Sequence, residues 1–267
     1  MKIIDCFTFY NEFDLLKYRL SVLYDVVDRF VLVEATHTHA GHEKPLYFKE
    51  NRSMFSKFSD KIIHVIVRNF PYKYPNINCE RGEQWVNERF QRDRIDDGLQ
   101  RIKLEKNDMI TITDLDEIPD PRLLSTIKTN KISLRIYSLE MDMYYYNLNC
   151  RVTGEIWRHP KIMTYGTYCE LGEPCSELRF HDCEALASGG WHLSYFGSAE
   201  QIQNKIMNFS HQEFNSPQFT DIGKIGERVE KGVDIYDRAN PIVHLPIHRN
   251  TYLPVKYDEF LSAYYKN

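Results

Sequence analysis

The chain has 267 residues, with 34 Lys and Arg against 38 Asp and Glu and a net charge of −4. That length holds one large domain or two small ones and can bury a sizeable core. The slight acidity without clustered base excludes a nucleic-acid footprint and predicts no nucleic-acid partner.

In chain order, IIDCFTF reads as a buried strand, followed by a helix on which Leu16, Leu20, Leu23 and Val27 recur at helical spacing. The start, MKIIDCFTFYNEF, meets Asp5 too early for a secretion signal. No apolar run approaches the ~20 residues that span a bilayer, so the expectation is a soluble, cytoplasmic chain. RFVLVEA is a second strand ending near Glu34, and KIIHVIV a third. A long helix is expected from about Glu80 to Leu104, charged over most of its surface, with Arg89 and Arg92 sharing a face. MITIT is the fourth strand, and it runs into Asp114, Asp116 and Glu117, after which two prolines stop regular structure. Strands alternating with helices predict a mostly parallel α/β sheet. Ligands bind such sheets beyond the carboxyl ends of the strands, where Asn11, Glu12, Glu34, Asp114 and Asp116 fall.

The second half changes character. SLRIYSLEMDMYYYNLNC is a long aromatic strand and EIWRHPKIMTY another. CELGEPCSELRFHDCEALASGG is loop-rich, WHLSYF short and extended, and a helix runs from about Ala199 to Phe209. Six cysteines lie at 6, 79, 150, 169, 175 and 183 with no CxxC pair, which argues against a zinc knuckle and for free thiols. The 18 Tyr and 15 Phe suit a large core first and a sugar-binding cleft second. No linker separates the halves, so residues 1–267 read as one domain with two subregions, about 1–130 and about 131–267.

Residues two apart on an extended chain point the same way, so Asp114 and Asp116 can face one ligand. Two hard oxygen donors suit Mg²⁺ or Mn²⁺ with positions left for phosphate oxygens. The bland reading makes them turn and capping carboxylates. DLDEIPDP also resembles the nucleophile motif of haloacid-dehalogenase-type phosphatases, although that motif usually opens its domain.

IIDCFTFYNEFDLLKYRL, FVLVEATHTHAGHEKPLYFKEN, NERFQRD, ITDLDEIPDP and GGWHLSYF, in this order, resemble glycosyltransferase family 17, a family that includes N-acetylglucosaminyltransferases acting on N-glycans. The resemblance implies a GT-A fold: a Rossmann-like, nucleotide-binding mixed sheet flanked by helices, with a variable acceptor-binding C-terminal half. It implies an inverting, metal-dependent transfer of a sugar, GlcNAc first, from a UDP-sugar to a hydroxyl of a glycan or glycoprotein. On it, Asp114 and Asp116 become metal ligands with His192 as the third, under Mn²⁺ or Mg²⁺. Asn11, Glu12 and Glu34 face uracil and ribose; Lys44, Gln91, Arg92 and Asp114 serve the donor; Trp191 stacks on a sugar. The base falls to Glu213, with Glu117 beside the cluster; Glu177, Asp182, Glu184 and Glu200 compete. The match is poor between about Asn147 and Ala187. The alternative is a degenerate GT-A domain that binds glycan or nucleotide without turnover.

Overall fold

In the computed structural model, which describes residues 1–238 and 240–266, a single mixed sheet carries the whole chain. The first half supplies four parallel strands: β1 (Ile3–Phe9), β2 (Arg29–Ala35), β3 (Ile62–Val67) and β4 (Met109–Asp114). They lie in the order β4-β1-β2-β3, with Thr8 opposite Asp114 and Phe9 opposite Glu34. Their alternate residues fill two separate cores, Phe7, Phe30 and Met109 in one and Cys6, Val31 and Ile110 in the other. Burial on both faces is why the segments read as continuous apolar runs.

The helices of this half are α1 (Phe13–Leu23), α2 (Tyr47–Glu50), α3 (Glu83–Asp93) and α4 (Ile95–Leu99). The single helix expected over 80–104 is therefore broken. Gly82 takes a left-handed φ of 72° at the start of α3, after a 3-10 turn at Cys79–Arg81. At Gly98, a Cβ would lie 2.3 Å from Val31 Cγ1, so α4 runs directly onto β2. The prolines after the carboxylates do not abolish structure: Pro119 closes the short strand β5 (Glu117–Pro119), and Asp120 caps α5 (Pro121–Thr129), with Pro121 at its first turn.

The second half adds β6 (Ile136–Tyr145), β7 (Cys150–Trp157), β8 (Lys161–Thr164), β9 (Ala185–Ser194) and β10 (Ile242–His244). EIWRHPKIMTY is two strands rather than one, divided at Arg158–Pro160, with Pro160 at the break. β8 pairs antiparallel with β4 and β6, β6 with β7, and β7 with β10, while β9 runs parallel to β6 and antiparallel to β5. The sheet is thus mixed, as the GT-A resemblance implies, and less parallel than the strand-helix alternation alone suggests. The helices of this half include α6 (Tyr165–Leu171), α7 (Cys175–Leu178), α8 (Ala199–Asn208), α9 (Pro217–Thr220) and α10 (Ile222–Lys231). Among the described residues no helix is long and apolar enough to cross a membrane.

Two features aim the edge of this sheet. Gly190, at φ 144°, lies where a Cβ would meet Ile118 O at 2.1 Å, so only glycine lets β9 settle against β5. That settling puts His192 opposite Glu117. Arg19 on α1 is fully buried and paired with Asp5 at 2.7 Å. Its guanidinium also donates to Thr113 Oγ1 at 2.6 Å and to the carbonyls of Asp114, Leu115 and Glu117 at 2.8, 3.1 and 2.8 Å. The carboxylate turn after β4 is fixed from beneath by one side chain.

Candidate active site

A cleft of about 390 Å³ opens at the carboxyl ends of β1, β2 and β4. Thr8, Tyr10 and Glu12 line it from β1 and the turn after it; His37 and His39 follow β2, and Asp114 and Asp116 follow β4. α3 contributes Trp85, Glu88, Gln91 and Arg92. Its buried face is Gln84, Asn87, Gln91 and Arg92, a polar set where a packing helix ordinarily shows aliphatic groups. The second half closes the cleft with Trp157, His159, Arg179, Phe180, His192, Lys205, His211 and aromatic groups of β6 and its neighbours.

Its ion pairs form two groups, one around Asp114 and one around Asp116. Asp114 takes Arg92 on Oδ1 at 2.6 Å and Arg179 on Oδ2 at 2.9 Å, with Thr8 Oγ1 donating to Oδ1 at 3.2 Å. Arg92 also binds Glu88. Arg179 continues to Glu117, whose Oε1 and Oε2 accept at 2.5 and 2.9 Å. Glu117 further accepts Trp157 Nε1 at 2.6 Å and the Asp114 backbone N–H at 2.7 Å. Asp116 binds Lys205 at 2.9 Å, and Lys205 reaches Glu12 at 3.5 Å. His192 Nε2 stands 3.7 Å from Asp116 Oδ1.

Burial alone would raise both aspartates. Arg179 and Arg92 outweigh it at Asp114, and Lys205 with His192 at Asp116, so both carboxyls lie well below the usual range and are ionised. Burial opposes the charge on Lys205, yet Asp116 and Glu12 hold its pKa above the ordinary value. Lys44 goes the other way: burial lowers it to about 8 against the pull of Glu34.

Among the described residues no three His, Cys, Asp or Glu side chains are grouped to hold a metal ion. Asp114 does not fit that role, because both its oxygens are occupied by guanidinium groups. The same clamp withholds it as the free nucleophile a dehalogenase-type phosphatase requires. Asp116 and His192 do fit: a carboxylate and an imidazole side by side on the cleft wall, with His192 Nδ1 buried and without a hydrogen-bond partner. Mg²⁺ and Mn²⁺ commonly take one or two protein ligands and complete their shell with phosphate and water.

The other residues singled out from sequence divide. Glu12, Lys44, Gln91 and Arg92 reach the cleft. Gln91 is tied to His39 Nε2 at 3.1 Å and to Val33 O at 3.0 Å. Arg89, expected to share a face with Arg92, is exposed while Arg92 is buried. Asn11 lies beside the cleft, its amide on Asn204 at 3.3 Å. Glu34 is fully buried and faces α2, accepting Phe48 N at 2.8 Å and His64 Nε2 at 2.9 Å. Trp191 is also fully buried, packed at a tilt against Tyr252 with ring centres 5.0 Å apart, in the core rather than on the cleft wall. Glu117 is sealed by Arg179 and Trp157 and reaches no solvent. Glu213 stands at the rim, bound to His211 Nδ1 at 2.6 Å, and it is His211 that lines the cleft.

Arg19, Arg179, Lys205 and Trp157 were not singled out from sequence. Two carried a signal: Arg179 is the sole Lys or Arg in the loop-rich run 169–190, and Lys205 the sole one in α8.

Residues 1–241 match glycosyltransferase family 17. Beta-1,4-mannosyl-glycoprotein 4-beta-N-acetylglucosaminyltransferase of Rattus norvegicus is 27% identical over 303 aligned positions, covering 97% of this chain and 54% of its own. The Mus musculus protein of the same name is 26% identical over the same shares. The Homo sapiens one is 27% identical over 174 positions, 64% of this chain and 30% of its own. The chain therefore spans about half the length, or less, of the curated relatives it matches. Among solved structures, S. aureus TarS 1–349 aligns with a TM-score of 0.37 at 9% identity, over 87% of this chain and 71% of that one.

Proposed function

The chain belongs to glycosyltransferase family 17, and from that premise we propose that it transfers a sugar, N-acetylglucosamine first, from a UDP-sugar to a hydroxyl of a glycan, with inversion at the transferred carbon. The observation that carries this reading is the convergence of Arg92, Arg179 and Lys205 with Asp114 and Asp116 in one cleft at the strand ends. Cations placed there suit the diphosphate of a nucleotide sugar, whose leaving charge must be stabilised as the glycosidic bond breaks.

The two groups hold five carboxylates, Glu12, Glu88, Asp114, Asp116 and Glu117, against Arg92, Arg179 and Lys205. Carboxylate charge in excess within these groups suits a divalent cation, and Asp116 and His192 are the residues that would hold it. Bound there, Mn²⁺ or Mg²⁺ supplies positive charge to the departing diphosphate. Arg92 and Arg179 hold Asp114 rigid. Arg19 keeps the turn that presents both aspartates from relaxing. In this reading the acceptor's proton goes to the His211–Glu213 pair at the rim, where the carboxylate holds Nδ1 and leaves Nε2 to accept. Trp157, His159 and the exposed Phe180 form an aromatic lip suited to the C–H face of an acceptor sugar.

The test is calorimetric binding of UDP with and without Mn²⁺, on wild type and Asp116→Ala. The expected result is UDP binding that Mn²⁺ strengthens in wild type and not in the variant. Absence of UDP binding under both conditions sinks the nucleotide-sugar reading.

A further inference from the structure

Lys205 and Asp116 form a pair whose two members are held unequally. Asp116 sits on a turn whose flanking carbonyls are bound by Arg19, and its own carbonyl accepts the Leu193 N–H at 2.8 Å. Its carboxylate has little freedom. α8 is equally fixed in its backbone, with a Ser198–Gln201 capping box and Ile202 and Ile206 buried beneath it. The Lys205 stem is not: four rotatable carbons carry an ammonium that touches Asp116 at 2.9 Å and Glu12 at 3.5 Å. Its surroundings are the faces of Tyr195 and Phe209, at 5.5 and 5.8 Å from the ring centres, which attract a cation without anchoring it in one position. His192, on the other side of Asp116, keeps a buried ring nitrogen unpartnered. The ammonium therefore occupies the carboxylate a metal ion needs, and it is the partner able to leave.

We propose that Lys205 is a partner-switching cation: in the free protein it neutralises Asp116, and when a divalent cation takes that carboxylate it swings to an oxygen of the donor's diphosphate. This rests on the nucleotide-sugar reading above and adds a role that the reading does not require. The switch keeps the carboxylate pair compensated in the empty cleft, where an unpaired buried charge is costly. It also makes metal and diphosphate binding interdependent, because each gives the displaced group its new partner.

The test is a pair of titrations on wild type, Lys205→Met and Lys205→Arg. Free Mn²⁺ is followed by electron paramagnetic resonance without nucleotide, and UDP binding by calorimetry at saturating Mn²⁺. Removing the competing ammonium should tighten Mn²⁺ alone by about tenfold, while losing one charge-assisted hydrogen bond should weaken UDP by about 10–100-fold. Lys205→Arg should keep most of the UDP affinity. Opposite signs are the signature. A lysine that merely props up the site would, on removal, weaken both ligands together, and that result overturns the proposal, as does Mn²⁺ affinity unchanged in Lys205→Met. If UDP fails to bind even wild type, the nucleotide-sugar reading falls, and with it the diphosphate arm of the switch. The Mn²⁺ titration then still decides whether Lys205 competes for Asp116.

Discussion

Arg19→Lys isolates how the turn after β4 is held. The arginine makes six hydrogen bonds: two to Asp5, one to Thr113 Oγ1 and three to the carbonyls of Asp114, Leu115 and Glu117. A lysine keeps the charge opposite Asp5 but has only three donors, so at least three of those acceptors lose their partner. Both Arg19 and Asp5 are fully buried, and water does not replace the loss. At about 1–3 kcal/mol for each unsatisfied buried acceptor, the cost is at least about 3 kcal/mol. That is a large share of the roughly 5–15 kcal/mol that holds a domain folded. The assay is urea unfolding of both proteins, with the slope checked so that the comparison reports stability alone. The variant should also bind UDP with Mn²⁺ about tenfold or more weakly, since Asp116 is no longer fixed from beneath. A loss below about 1 kcal/mol would refute the claim that Arg19 is the anchor of the turn.

Three further outcomes follow from the same geometry. Asp114→Asn removes the anion between two buried arginines, so stability should fall by about 3 kcal/mol by denaturant titration, while Mn²⁺ titrates as in wild type because Asp116 and His192 are untouched. Glu34→Gln keeps one oxygen to accept the Phe48 N–H but replaces the oxygen that meets His64 with an amide donor, which should cost about 1–3 kcal/mol, yet leave UDP affinity within about twofold, because the group faces α2 and not the cleft. Lys44 is held near 8 by burial, below the unfolded value of about 10.4. Between those values the unfolded chain binds more protons than the folded one, so stability rises with pH across that window and the charged form is penalised below it. Lys44→Met should abolish the rise and stabilise the protein at neutral pH by about 1–3 kcal/mol, read from unfolding curves at pH 7 and pH 10.

The sequence is most informative where periodicity and position coincide. β1 to β4 lie within a residue of their apolar runs, because strands buried on both faces leave an unbroken signature. Asp114 and Asp116 fall at the strand end from pattern alone. What the pattern does not carry is direction. Glu34 and Asp114 both lie near the ends of their strands, yet Glu34 is level with Phe9 and Asp114 with Thr8, so the pleat turns one toward α2 and the other to the cleft. Trp191 and His192 are neighbours on β9, and the pleat alone sends one to the core and the other to the cleft wall. Arg179 and Lys205 stand out as lone cations in their segments, but the sequence does not say what they meet. Their partners lie 62 and 89 residues away, so no local spacing relates them.

That separation has a consequence for how the site works. Asp114, Asp116 and Glu117 come from the first half of the chain, and Arg179 and Lys205 from the second. The two halves are joined by a continuous sheet, β8 on β4 and β9 on β5, so the backbone cannot separate them without breaking strand pairs. The side chains across the cleft are less constrained. On the proposed function, a diphosphate entering between them would take hydrogen bonds from cations that otherwise serve the carboxylates, and a divalent cation would take carboxylate oxygens that otherwise serve the cations. Binding would then be an exchange of partners within a fixed frame. Metal without nucleotide would leave the Lys205 ammonium with Glu12 as its one ion-pair partner among the described residues. Nucleotide without metal must compete with Asp114 and Asp116 for the same donors. The frame therefore favours joint occupancy, and affinity for UDP and for Mn²⁺ should each rise by the same factor when the other is present.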